Sequence, residues 1–105
     1  MMEPTDRLQA QVLGEQDWLG VTEICRLCRI DLAAVVELAE LGVIAPRGAA
    51  PDHWQLPVAD LPRLRIAARL MRDLGVNVSG AAVAVELLRV QYDLERRVRF
   101  LTRVT

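Results

Sequence analysis

The side chains with most chemistry to offer are two cysteines and one histidine. Cys25-Arg26-Leu27-Cys28 has the spacing of a metal or redox pair, and His53 is the lone imidazole. A zinc site needs four protein ligands, or three and a water. Only His53 could join the pair, and there is no second pair of cysteines. A dithiol redox site needs a strand–helix setting that these residues lack. Two cysteines at i and i+3 in an apolar helix read as core; a small metal-responsive sensor built on them is the remote alternative. The remaining hydroxyls are Ser79, four threonines and Tyr92. No glycine-rich phosphate loop, nucleophile elbow or His-Glu-x-x-His motif appears. The expectation is a protein with no catalytic residue, no metal and no cofactor.

Charge is the next source of function. Thirteen basic residues face 14 acidic ones, for a net charge of −1, so no global basic field draws the chain onto nucleic acid. Every basic residue is arginine. A GC-rich genome explains this plainly; a surface suited to bidentate pairing with carboxylates or phosphates is the functional reading. Arg65, Arg69 and Arg72 line one helical face. They are either a solvated, salt-bridged row or phosphate contacts. Glu86, Val90 and Asp93 fall at i, i+4 and i+7, an acid–apolar–acid strip suited to a basic protein surface. Glu37 and Glu40 offer a second acidic surface.

These residues need elements to position them. The chain has 105 residues, 52% of them hydrophobic, enough for one small core. Residues 1–16 fit a frayed helix or an edge strand equally. Thr22 is an expected N-cap for a short helix over 22–28. Asp31 caps a second, with Leu32, Val35, Val36 and Ala39 on its buried face and Gly42 ending it. Two short helices joined by Arg29-Ile30 have helix-turn-helix spacing. Val43-Ile44-Ala45 and His53-Trp54-Gln55-Leu56, around a Pro/Gly loop, predict a two-stranded wing. Trp54 reads as the plug holding the wing to the core, Trp18 as a packing staple before the first helix, and His53 as an ordinary wing residue.

Asp60 is expected to cap a third helix with Pro62 in its first turn. Leu61, Leu64, Ala67, Ala68, Met71 and Leu74 form its buried stripe, Gly75 ends it, and Arg69 can pair with Asp73. Asn77 or Ser79 caps a last helix reaching about residue 103, roughly 35–40 Å long at ~1.5 Å per residue. Leu87, Leu94 and Leu101 repeat every seven residues, with Val83 and Val90 between them and Arg97 breaking the pattern. A homodimer through this seam is expected, with part of it packing on its own domain as the alternative. Residues 17–76 then form a winged helix-turn-helix domain and 77–105 a dimerisation helix.

The order of elements resembles the MerR-type winged helix. The residues carrying it are Leu41-Gly42-Val43-Ile44-Ala45-Pro46-Arg47, Trp54, Asp60-Leu61-Pro62-Arg63-Leu64-Arg65 and Arg69-Leu70-Met71-Arg72-Asp73-Leu74-Gly75. The expected fold is mainly α, with a small two-stranded wing and a long C-terminal helix. DNA readers of that type carry polar and aromatic residues on the recognition helix. Here Asp31-Leu32-Ala33-Ala34-Val35-Val36-Glu37-Leu38-Ala39-Glu40 holds no side chain for bidentate contact with guanine or adenine. Its carboxylates repel phosphate. His53-Trp54-Gln55 stands where such readers carry Gly-Tyr-Arg.

The chain is similar to the CbpM-type chaperone modulators, small MerR-like proteins. Val21-Thr22-Glu23-Ile24-Cys25, Arg69-Leu70-Met71-Arg72-Asp73-Leu74, Val83-Ala84-Val85-Glu86-Leu87-Leu88 and the closing Arg/Leu-rich helix also match. The resemblance implies a partner, the J-domain of the DnaJ-like co-chaperone CbpA, and inhibition of its work with Hsp70. J-domains of that kind present a basic helix face, which Glu86, Val90 and Asp93, or Glu37 and Glu40, would meet. The other reading is a MerR-family transcription factor using Arg65, Arg69 and Arg72 on phosphate. The opening residues lack the basic and apolar regions of a secretory signal, and the longest apolar run, 80–85, is far short of a membrane span. A cytoplasmic protein is expected.

Overall fold

The computed structural model of the chain describes residues 17–104. The undecided segment 1–16 lies outside them. Strand β1 (Trp18–Gly20) runs without a loop into helix α1 (Val21–Cys28). Helix α2 (Leu32–Glu40) follows after a turn, then strand β2 (Gln55–Pro57), helix α3 (Leu61–Leu74) and helix α4 (Val78–Val104). Short 3-10 turns at Pro51–His53 and Val58–Asp60 flank β2. This is the mainly α, MerR-like architecture that the order of elements predicts, with a long last helix of 27 residues.

The turn between α1 and α2 depends on one left-handed residue. Arg29 has φ 55°, and the N–H of Ile30 reaches back to the Cys25 carbonyl at 3.1 Å. Asp31 caps α2 as expected: its Oδ1 accepts the Ala34 N–H at 2.8 Å. Gly42 at φ 80° closes α2 in a Schellman arrangement, with its N–H on Ala39 O and the Val43 N–H on Leu38 O. Two sequence expectations shift here. Helix α1 starts at Val21 with Gly20 at the cap and no side-chain cap bond, so Thr22 is a first-turn residue. The buried face of α2 is Ala34, Val35 and Leu38, while Leu32 is 36% exposed. A stripe at i and i+3 is ambiguous by one step, and packing into the core selects the Leu38 side.

The sheet pairs differently from the predicted wing. β2 is antiparallel to β1, with Leu19 opposite Leu56 and Gly20 opposite Gln55. Only a single bridge, Arg47 to Gln55, joins the two arms of the wing. The next hydrogen-bonding pair would set Ala45 opposite Pro57, which has no N–H to donate, and Ile44 is committed to the core at 5% exposure. Gly48 turns the loop at φ 133°, where an added Cβ would sit 2.8 Å from the His53 carbonyl oxygen.

The core joins Ile24, Val35, Leu38, Leu56 and Leu64, all at or near zero exposure. Cys28 belongs to it, and Cys25 and Trp54 pack against its edge. Trp18 is half-buried in β1, with the Arg47 guanidinium 3.9 Å from its ring centroid. Helix α3 contributes Leu61, Leu64, Ala67 and Ala68. Leu74 does not join this stripe and is 70% exposed, because α3 ends beyond the edge of the core. Asp60 makes no side-chain cap bond; it is buried and ion-paired to Arg63. The ion pair at Asp73 is made by Arg72, at 3.8 Å, rather than by Arg69. Gly75 ends α3 in the left-handed region.

Candidate functional site

Helix α4 begins on Asn77, whose Oδ1 accepts the Gly80 N–H at 2.8 Å. Its first turns bury Ala81, Ala82 and Val85 against α3 and α2. From Glu86 to Arg103 every residue is exposed. That free length is 18 residues, about 27 Å at ~1.5 Å per residue.

At ~3.6 residues per turn, the core-facing side of α4 continues past Val85 through Tyr92 and Arg96, whose guanidinium lies 5.8 Å from the Tyr92 ring centroid. The apolar seam lies on the opposite side. Val83 is 60% exposed, Leu87 63%, Val90 45%, Leu94 54% and Leu101 61%. The seam therefore does not fold back on its own domain. Arg97 does not interrupt it either, because Val98, 61% exposed, continues the row one residue later. The spacing after Leu87 is 3, 4, 4 and 3, which keeps the row on one side of a nearly straight helix.

The acid–apolar–acid strip is present as a face but is already in use. Glu86 is ion-paired to Arg89 one turn along. The Arg89 pKa is raised, first by the hydrogen bond from its side chain to Glu86, then by the charge of Glu86, with Asp93 adding to it against some desolvation. Val90 also belongs to the seam. The second acidic surface differs. Glu37 and Glu40 are exposed in the last turn of α2, and among the described residues neither carboxylate has an ion-pair or hydrogen-bond partner. Leu41 is 48% exposed beside them.

Of the arginine row, Arg65 is half-buried while Arg69 and Arg72 are exposed. The cysteines behave as core residues. Burial pushes the Cys25 thiol pKa up, with the charge of Asp31 adding to it, so the reactive thiolate is scarce at neutral pH. Among the described residues no three of His, Cys, Asp and Glu come together as a metal site. His53 is exposed beside Asp52, its Nδ1 at 3.3 Å from Oδ1. No helix among the described residues is long and apolar enough to cross a membrane.

The family model described as MerR HTH family regulatory protein matches residues 19–103. A chaperone modulatory protein CbpM of Coxiella burnetii (strain Dugway 5J108-111) is 34% identical over 85 residues, covering 81% of this chain and 80% of the relative. One of the same name from Pseudomonas putida (strain W619) is 32% identical over 71 residues, covering 68% and 70%. A third, from Pseudomonas entomophila (strain L48), is 29% identical over 70 residues, covering 67% and 69%. No solved structure matches the chain.

Proposed function

We propose that this chain, which belongs to the MerR helix-turn-helix family and within it to the CbpM chaperone modulatory proteins, binds the J-domain of a DnaJ-like co-chaperone of the CbpA kind and inhibits its cooperation with Hsp70. It acts by binding and not by catalysis. Occupying the basic face of the J-domain leaves Hsp70 without its docking surface. The protein works in the cytoplasm as a homodimer joined through the α4 seam, Val83, Leu87, Val90, Leu94 and Leu101, with Val98 completing it.

The observation that carries this reading is the exposed face of α2. In the helix-turn-helix position where a DNA reader presents donors, this helix presents Leu32, Ala33, Glu37 and Glu40. None can make a bidentate base contact, and two repel phosphate. The acids instead complement a basic protein surface. The alternative, operator binding as a MerR-type regulator, draws on Arg65, Arg69 and Arg72. With Arg65 half-buried and Arg72 beside Asp73, that row offers phosphate less than its spacing suggests.

The test is a calorimetric titration of the protein with the J-domain of its own DnaJ-like co-chaperone at physiological salt. Saturable binding at micromolar affinity or better is expected, together with loss of J-domain-stimulated Hsp70 ATPase activity. Absence of binding, with retention of operator DNA in a gel-shift assay, would return the protein to the transcription-factor reading.

A further inference from the structure

Helix α2 ends against its own dipole. Its last turn holds Glu37 and Glu40 and no basic residue, where unpaired carbonyls leave a partial negative charge that favours cations. The Schellman turn at Gly42 satisfies carbonyls there but supplies no positive charge. Four other carboxylates among the described residues are ion-paired to arginine: Glu23 with Arg26, Asp60 with Arg63, Asp73 with Arg72 and Glu86 with Arg89. Among the described residues no arginine is placed on Glu37 or Glu40. A local arrangement that works against the helix and finds no compensation among the described residues is the mark of a surface shaped for something else.

The acids are also framed by apolar surface. Leu32 is 36% exposed and Leu41 48%, nine residues apart, or about 14 Å along the axis at ~1.5 Å per residue. Val36 lies half-buried between them. The strip on α4 has no such claim. Glu86 and Asp93 both neighbour Arg89, Val90 is shared with the seam, and Arg97 follows Asp93 one turn on.

We propose that the α2 face of Leu32, Val36, Glu37, Glu40 and Leu41 is the docking surface for a cationic amphipathic helix. On the reading given above, on which this assignment rests, that helix is supplied by the J-domain. The two carboxylates and the helix C-terminus take its cations, and the leucines cover its apolar flank. A helix-turn-helix surface that reads DNA in other proteins thus takes, with its charge inverted, a basic protein helix.

The experiment titrates the J-domain into the full chain and two variants, Glu37→Gln/Glu40→Gln and Glu86→Gln/Asp93→Gln. Parallel titrations use a synthetic helical peptide with lysines one turn apart beside a leucine stripe. The α2 pair is expected to weaken both ligands at least about tenfold and to flatten the salt dependence, while the α4 pair leaves both nearly unchanged. Because the α2 substitutions remove charge that the dipole disfavours, its melting temperature should not fall, so lost binding is not lost folding. Loss in the α4 pair with retention in the α2 pair overturns the assignment and keeps the J-domain reading. A J-domain that does not bind, with peptide binding that the α2 pair abolishes, overturns the J-domain reading and keeps the surface. No binding of either ligand to the unmodified chain overturns both.

Discussion

Val83 and Val85 stand two residues apart on α4 and face opposite ways: Val85 is 3% exposed and Val83 60%. One helix thus has two apolar sides near its start, and only one is satisfied within the chain. Beyond Val85 the unsatisfied side continues through Leu87, Val90, Leu94, Val98 and Leu101. A second copy laid along this side would cover it, as the proposed homodimer requires. Sedimentation should give a dimer for the unmodified chain and a monomer for Leu87→Glu/Leu94→Glu. Both side chains are exposed in the single chain, so the helix-turn-helix body of the monomer should keep its far-ultraviolet signal. A double variant that still sediments as a dimer would place the contact elsewhere.

Arg29 occupies the left-handed region at φ 55°, where a Cβ costs about 1 kcal/mol relative to glycine. Its side chain is exposed. Arg29→Gly should therefore stabilise the fold by about 0.5 kcal/mol once the extra freedom of glycine in the unfolded chain is counted. That gain amounts to a rise of roughly 2–4 °C in melting temperature. Arg29→Val, β-branched at the same angle, should lower it.

The cap on α2 gives the opposite sign. Asp31→Ala removes the acceptor for the Ala34 N–H and should cost about 1 kcal/mol. Asp31→Asn keeps an acceptor and should restore most of that loss. Denaturant midpoints for the three proteins check the order.

Burial and the nearby charge of Asp31 both raise the Cys25 pKa. Thiol labelling of the folded protein at pH 7 should be much slower than for the unfolded chain, and should accelerate only as the pH passes above the ordinary thiol value near ~8.5. Asp31→Ala lowers that barrier by removing the second cause. Rapid labelling at neutral pH would contradict the core assignment of the cysteine pair.

Local rules carried much of this fold. The Asp31 cap, the glycines at 42 and 75, the buried α3 residues from Leu61 to Ala68 and the long last helix follow from spacing and backbone preference, which neighbours in sequence fix between themselves. The unmatched recognition helix was legible too, because the absence of donors on Asp31-Leu32-Ala33 and its continuation needs no coordinates. What sequence could not decide was set by contacts between distant residues. Leu38 rather than Leu32 faces inward because the core shared with α1 and α4 lies on that side. β2 pairs along β1 and meets the other arm of the wing at one bridge only, because Pro57 has no N–H to give that side. The Arg89 pairing with Glu86, the freedom of Glu37 and Glu40, and the seam of α4 turned away from its own core all depend on which face of a helix meets the body. Periodicity gives the stripe on a helix, but only tertiary packing says which way that stripe points.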